Sequence, residues 1–193
     1  MPSKKIREIV EPGATYHIYN RGNNYQNVFF GENDYLLFLE KIKMYLLSYC
    51  SIFAFALLPN HYHLLLRVNE NLKQSEFNRQ FLKLILSYTN KINFREKRNG
   101  NLFLPHFRRI RIVNEEYLKR LVYYINYNPE KHEITDDFKT YKFSSYRIFM
   151  SEKPSNLARE EVFSWFDGWN GFIEYHNYLH DSESIKKLTF EDE

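Results

Sequence analysis

The chain alternates short runs of aromatic and β-branched residues with longer stretches in which apolar residues recur every three or four positions. Residues 14–20, with Thr15, Tyr16, Ile18 and Tyr19, predict a first strand, and Arg21-Gly22-Asn23-Asn24 predicts a turn. Asn33 or Asp34 is suited to cap a helix running to about Tyr49, with Leu37, Phe38, Ile42 and Leu46 on its apolar face. Residues 51–58 predict a second strand, joined through Pro59-Asn60 to a third that begins at His61. Phe77, Phe81, Leu84, Ile85, Tyr88 and Ile92 predict a long helix over 72–94. A polar, basic loop over 95–100 leads to a fourth strand-like segment over 102–113. The next helix starts at Asn114 or Glu115 and is expected to end at Asn128-Pro129, because proline disfavours helical geometry in the residue before it. This order, with an antiparallel central hairpin, predicts an α+β sandwich of ferredoxin-like type.

Successive side chains on a strand point to opposite faces, so His61 and His63 share one face while Tyr62, Leu64 and Leu66 take the other. Two neutral imidazoles on a rigid strand are suited to a divalent ion, although two histidines on a solvated face explain the same pattern. Tyr124 and Asn128 are four apart and lie on one helix face. A carboxamide oxygen can ligate a hard ion, and a tyrosine hydroxyl one turn away would reach what that ion holds. Spacing alone leaves Tyr123 and Tyr127 as rival nucleophiles, and tyrosines along a helix ordinarily serve packing. His17, His106 and His132 could join the site but equally suit structural roles. His176 and His180, four apart in a helical stretch, read as incidental.

Composition narrows the class. With 193 residues, 44% hydrophobic and 18% aromatic, the chain can bury the core of one domain plus an appendage. We divide it into a lead-in over 1–12, a domain over 13–150, and an acidic, Trp-containing extension over 151–193. Trp165, Phe166 and Trp169 are expected to pack that extension onto the body. The lone cysteine, Cys50, cannot form an internal disulfide, which suits a reducing cytoplasm. The N-terminus lacks an apolar segment behind its basic residues, and no apolar run approaches the roughly 20 residues that span a bilayer, so no membrane partner is expected. The net charge of +3 conceals an asymmetry. Residues 151–193 carry four Lys/Arg against ten Asp/Glu, and the first 150 carry 23 against 14. A basic body suggests a polyanion such as nucleic acid, and Lys91, Arg95, Lys97, Arg98, Arg108, Arg109 and Arg111 cluster suitably for phosphate contacts.

Taken in order, several motifs are recognisable: Tyr16-His17-Ile18 with Asn20-Arg21-Gly22-Asn23-Asn24, Leu58-Pro59-Asn60-His61-Tyr62-His63, Ser87-Tyr88-Thr89, Gly100-Asn101-Leu102-Phe103, Tyr124-Ile125 with Asn128-Pro129, and Phe143-Ser144-Ser145-Tyr146. Together they resemble the single-tyrosine HUH transposases, particularly the branch called REP-associated tyrosine transposases, over roughly residues 12–150. The resemblance implies a ferredoxin-like HUH fold, His61 and His63 as metal ligands with Asn128 as the third, and Tyr124 as nucleophile. It implies cleavage and rejoining of single-stranded or hairpin DNA through a covalent 5′-phosphotyrosine, with Arg21 among the DNA-binding residues. Neutral ligands of this kind suit Mg²⁺ or Mn²⁺, held weakly until phosphate completes the shell. Glu133 departs from the family pattern after the Asn-Pro, and the stretch after Ser151 has no family counterpart. A barrel amidohydrolase also opens with His-x-His but requires repeating strand–helix units that this chain lacks. The alternatives are a non-catalytic single-stranded nucleic-acid-binding module and a domesticated hairpin-processing protein. A homodimer in which Tyr124 serves a partner's histidines is compatible with the sequence.

Overall fold

Four strands pair antiparallel in the order β2-β3-β1-β4 in the computed structural model, which describes residues 10–181. They are β1 (Thr15–Arg21), β2 (Cys50–Leu58), β3 (His61–Val68) and β4 (Arg108–Ile112). The lead-in before residue 10 and the acidic tail from 182 lie outside the described residues. Helix α1 (Glu32–Leu46) links β1 to β2, and α2 (Gln74–Arg95) links β3 to β4. This is the ferredoxin-like βαββαβ arrangement that the pattern predicts. β2 and β3 form a hairpin across Pro59-Asn60, with Leu58 opposite His61. Among the described residues, no helix is long and apolar enough to cross a membrane.

The two faces of the sheet are covered differently. Tyr16, Ile18, Phe55, Tyr62, Leu64 and Leu66 pack with Phe38, Ile42, Phe81, Leu84 and Tyr88 of α1 and α2. Ala54, Ala56, Leu58, Leu65 and Ile112 form the opposite face, beneath α3 (Glu115–Lys131). A register shift between Ile52 and Ala54 lets consecutive residues Phe53 and Ala54 both join that second core.

The elements depart from expectation at three ends, each for a local reason. Gly31, rather than Asn33 or Asp34, is the N-cap of α1. Asp34 lies one turn in, where its carboxylate accepts the Phe30 N–H at 2.8 Å and both guanidinium branches of Arg95 from α2. Burial alone would raise the Asp34 pKa, but the Arg95 and Phe30 hydrogen bonds outweigh it and hold the carboxyl below its ordinary value. β4 is shorter than the 102–113 segment: Phe103 keeps a single bridge to Gly22, and the Leu102 and Phe103 side chains fill the α1/α2 core. Helix α3 begins as expected, with Asn114 Oδ1 accepting the Tyr117 N–H, but it runs through Pro129 to Lys131. In the last turn proline forfeits only one backbone bond, and His132 N–H still donates to the Asn128 carbonyl at 3.0 Å.

The segment after α3 closes the outer edge of β2. Leu57 N–H donates to the Phe143 carbonyl, Ser145 N–H to that of Phe55, and Ala158 N–H to that of Ile52. Short α4 (Tyr146–Phe149) and α5 (Arg159–Trp165) lead to α6 (Trp169–Asp181). Trp165 meets the Phe53 ring edge-on at 4.7 Å and Phe166 is buried, whereas Trp169 is half exposed. His176 of α6 is fully buried in a structural role: Nδ1 donates to the Phe172 carbonyl at 2.8 Å, and Nε2 accepts from Asn126 Nδ2 of α3 at 3.2 Å. Asn126 Oδ1 in turn accepts from Ser145 Oγ at 2.6 Å. His180, more exposed, meets Glu130 of α3 at 2.8 Å.

Burial pushes the His176 pKa down to about 3, outweighing its carbonyl contact. The unfolded chain, with an ordinary imidazole, binds a proton below about pH 6.5 that the folded one refuses. The contribution of this neutral imidazole to stability is therefore complete above that pH and is lost as pH falls towards 3. Unfolding free energies from urea titrations between pH 7.5 and 4 should fall more steeply for the native chain than for His176→Leu, with a difference in slope of up to about 1.4 kcal/mol per pH unit. Equal slopes would show that His176 charges in place.

Candidate metal and tyrosine site

Antiparallel pairing of β1 with β3 sets Arg21 opposite His61 and Tyr19 opposite His63. His17, Tyr19, His61 and His63 consequently share the α3 face of the sheet. The His17 and His63 rings stack at 5.2 Å, and those of His17 and Tyr19 at 4.8 Å. His17 Nε2 lies 2.9 Å from His63 Nδ1 in the buried layer between sheet and helix.

The hydrogen bonds define what the two imidazoles can do. His61 Nδ1 is 2.6 Å from Asn60 Oδ1, an acceptor, so Nδ1 carries the proton and Nε2 carries the lone pair. That lone pair faces a second acceptor, Asn128 Oδ1, at 3.4 Å. Two acceptors turned towards each other do not form a hydrogen bond, whereas a cation between them satisfies both. His63 completes the set if its Nδ1–H donates to His17 Nε2, which leaves Nε2 basic; its ring stands edge-on to His61 at 5.2 Å. Two imidazole nitrogens and a carboxamide oxygen thus fit a divalent ion. The set contains no thiolate or carboxylate, and among the described residues no group of three or more His, Cys, Asp or Glu could hold a metal.

Tyr124 projects from α3 into the same layer, buried, with its ring edge-on to His63 at 6.0 Å. Lys131 Nζ, two turns on, donates to the Tyr124 hydroxyl at 3.2 Å and lies 4.8 Å from the centre of its ring. Tyr123 and Tyr127 occupy the other side of the helix, stacked on each other at 5.5 Å and packed on Phe138. His132, the C-cap of α3, meets the His61 ring at 4.7 Å.

A cavity of about 380 Å³ opens beside the histidines, lined by Tyr19, Arg21, Tyr25, His61, His106 and Arg108 among others. The cations read from sequence therefore separate by position. Arg21 and Arg108 line this cavity. Arg98 donates to Gln26 Oε1 beside it at 2.7 Å. Lys91 and Lys97 are exposed along the end of α2 and the loop beyond it. Arg95 is turned inward to Asp34, Arg109 donates to Asn78 of α2 at 2.9 Å, and Arg111 pairs with Glu11.

Sequence reasoning left His17 open and missed Asn60 and Lys131. The signal for His17 was its register with β3, which no single strand displays. Lys131 was hidden by the expectation that proline ends the helix. In a long-range ¹H–¹⁵N correlation spectrum of the metal-free protein at pH 7.5, His61 and His63 should both appear as Nδ1–H tautomers. Asn60→Ala should release His61 into a tautomer mixture, and an Nε2–H signal from native His61 would contradict the assignment.

No family model matches the sequence, and no curated protein matches it. Among solved structures, the chain is similar to a REP-associated tyrosine transposase bound to a REP hairpin, with a TM-score of 0.65 at 20% identity over 82% of this chain and 92% of that one. The sheet order, the helix layers and that superposition identify the architecture as ferredoxin-like, the fold shared with that structure.

Proposed function

We propose that this protein is a single-tyrosine transesterase acting on single-stranded or hairpin DNA, with Tyr124 as nucleophile. The observation that carries the reading is the meeting, within one chain, of His61, His63, Asn128 and Tyr124 in one layer between β3 and α3. The solved relative, a tyrosine transposase on a hairpin, adds support for hairpin DNA as the substrate class.

The Tyr124 oxygen attacks a phosphodiester phosphorus while the bond from phosphorus to the 3′ oxygen breaks. The phenol loses its proton, the departing oxygen gains one as a free 3′ hydroxyl, and the protein is left esterified to the 5′ phosphate. Reversal by the same or another 3′ hydroxyl rejoins a strand without a nucleotide cofactor, since one ester replaces another. The Lys131 ammonium stabilises negative charge as it develops on the phenol oxygen. Asn60 and His17 hold the two imidazoles in their tautomers, while Arg21 and Arg108 hold flanking phosphates without reading sequence. A Mg²⁺ or Mn²⁺ ion held by His61, His63 and Asn128 would polarise the scissile phosphate.

Incubation of labelled hairpin DNA with the protein and Mg²⁺ should give a denaturation-resistant protein–DNA band that Tyr124→Phe abolishes. Loss of the band in Tyr123→Phe or Tyr127→Phe, with Tyr124→Phe unaffected, would overturn the assignment; binding without any adduct would favour a non-catalytic module.

The donor set predicts metal behaviour as well. Mn²⁺ should bind weakly to the protein alone and more tightly once an oligonucleotide is bound to the Tyr124→Phe protein. On that complex, His17→Leu should weaken Mn²⁺ by about 10–100-fold in a calorimetric titration, with the circular dichroism spectrum unchanged. Tight binding that survives dialysis against chelator would contradict the neutral-ligand site.

A further inference from the structure

The turn Asn23–Tyr25 carries a feature that neither the fold nor the cation site requires. Tyr25 is 67% exposed and lines the cavity beside His61. Asn24 and Tyr25 both have left-handed backbones, with φ of 53° and 58°. For a bulky side chain this conformation is unfavourable, and such strain persists only where surrounding contacts hold it.

Those contacts are in place. Gly22 N–H donates to the Asn60 carbonyl at 2.6 Å, tying the start of the turn to the residue before His61. A Cβ on Gly22 would meet the Gln26 carbonyl oxygen at 2.0 Å, so only glycine closes this turn. Gln26 Nε2 donates to the carbonyls of Asn101 and Leu102, and Gln26 Oε1 accepts from Arg98. The Arg21 guanidinium lies 4.0 Å from the centre of the Tyr25 ring. An exposed aromatic ring is thus braced by backbone and by two arginines on the rim of a cavity that also contains Arg108.

We infer that Tyr25 is a stacking platform for one unpaired base of the DNA strand, with Arg21 and Arg108 holding the phosphates on either side of that nucleotide. The inference deepens the proposed DNA reading and rests on it, but requires neither metal nor covalent chemistry. A cavity of about 380 Å³ is sized for a single nucleotide rather than a duplex. Its described lining residues combine a π face with cations, the pairing that suits a base and its phosphate. Stacking tolerates any base, so this subsite supplies affinity for unpaired strands without specifying sequence.

The test uses the Tyr124→Phe protein, which binds without cleaving, and two probes of equal charge: fluorescein-labelled decathymidylate and the same phosphate chain with abasic sugars throughout. Decathymidylate should bind about tenfold more tightly, within the range measured for one stacked base. Adding Tyr25→Ala should bring the two affinities together while leaving the salt dependence unchanged, and Tyr25→Trp should restore the preference. Irradiation of decathymidylate carrying 5-iodouracil should crosslink the peptide that contains Tyr25. A base preference that survives Tyr25→Ala, or crosslinks confined to other peptides, would overturn the inference and leave the DNA reading standing. Failure of both probes to bind would overturn the two together.

Discussion

The arrangement depends first on the register between β1 and β3. Because side chains alternate along a strand, a slip of one residue would send either His61 and His63 or His17 and Tyr19 to the opposite face, into the aromatic core beneath α1 and α2, and so part the two pairs. That core makes the register costly to change. Tyr16 and Ile18 of β1 and Tyr62, Leu64 and Leu66 of β3 are almost fully buried there, and each would have to exchange an apolar environment for the polar layer. The imidazole positions are thus set by residues that never touch them. Gly22 N–H to the Asn60 carbonyl closes the same register at the end of the sheet nearest the site.

The second constraint is the orientation of α3. Ala54 and Ala56 leave room for the helix to lie close to the sheet, and its far side is occupied by α6, Phe138 and the Asn126–Ser145–His176 chain of hydrogen bonds. Rotation of α3 about its axis would strand Asn126, a buried carboxamide now satisfied at both ends, and that is expensive in a dry interior. The same orientation turns Tyr124 and Asn128 to the histidines and keeps Tyr123 and Tyr127 on the other flank. The extension therefore contributes, through α6, to the geometry of the site.

Much of this was legible in the sequence where periodicity is strong. The strand–helix order, the Pro59-Asn60 turn and the shared face of His61 and His63 follow from local patterns, since each depends on residues only a few positions apart. What remained hidden depends on long-range or terminal effects. The hydrogen bond from Asn126 to His176 spans 50 positions, so no local pattern displays the structural role of that imidazole. Arg95 read as one member of a basic cluster because nothing local reveals that Asp34 meets it across 61 positions. Proline ordinarily ends a helix, but here the burial of Asn128 and Pro129 favours one more turn, and that turn carries Lys131 to the phenol.

The separation of cations has an electrostatic consequence for the proposed chemistry. Arg95 and Arg111 are turned to Asp34 and Glu11, whereas Arg21 and Arg108 line the cavity beside His61, whose described lining residues include no acidic side chain. Beside Arg21 and Arg108, a divalent ion between neutral donors would meet like charge and a DNA phosphate would meet opposite charge. Each guest lowers the cost of the other, because the phosphate offsets ion–arginine repulsion and the ion offsets phosphate desolvation. Such coupling is reciprocal by thermodynamic necessity. A carboxylate ligand in place of Asn128 would bind the ion more firmly in the free protein but would spend part of its charge before the phosphate arrived. On the proposed reading the neutral donor set and the two cavity arginines would act together, with the scissile phosphate completing the cation site.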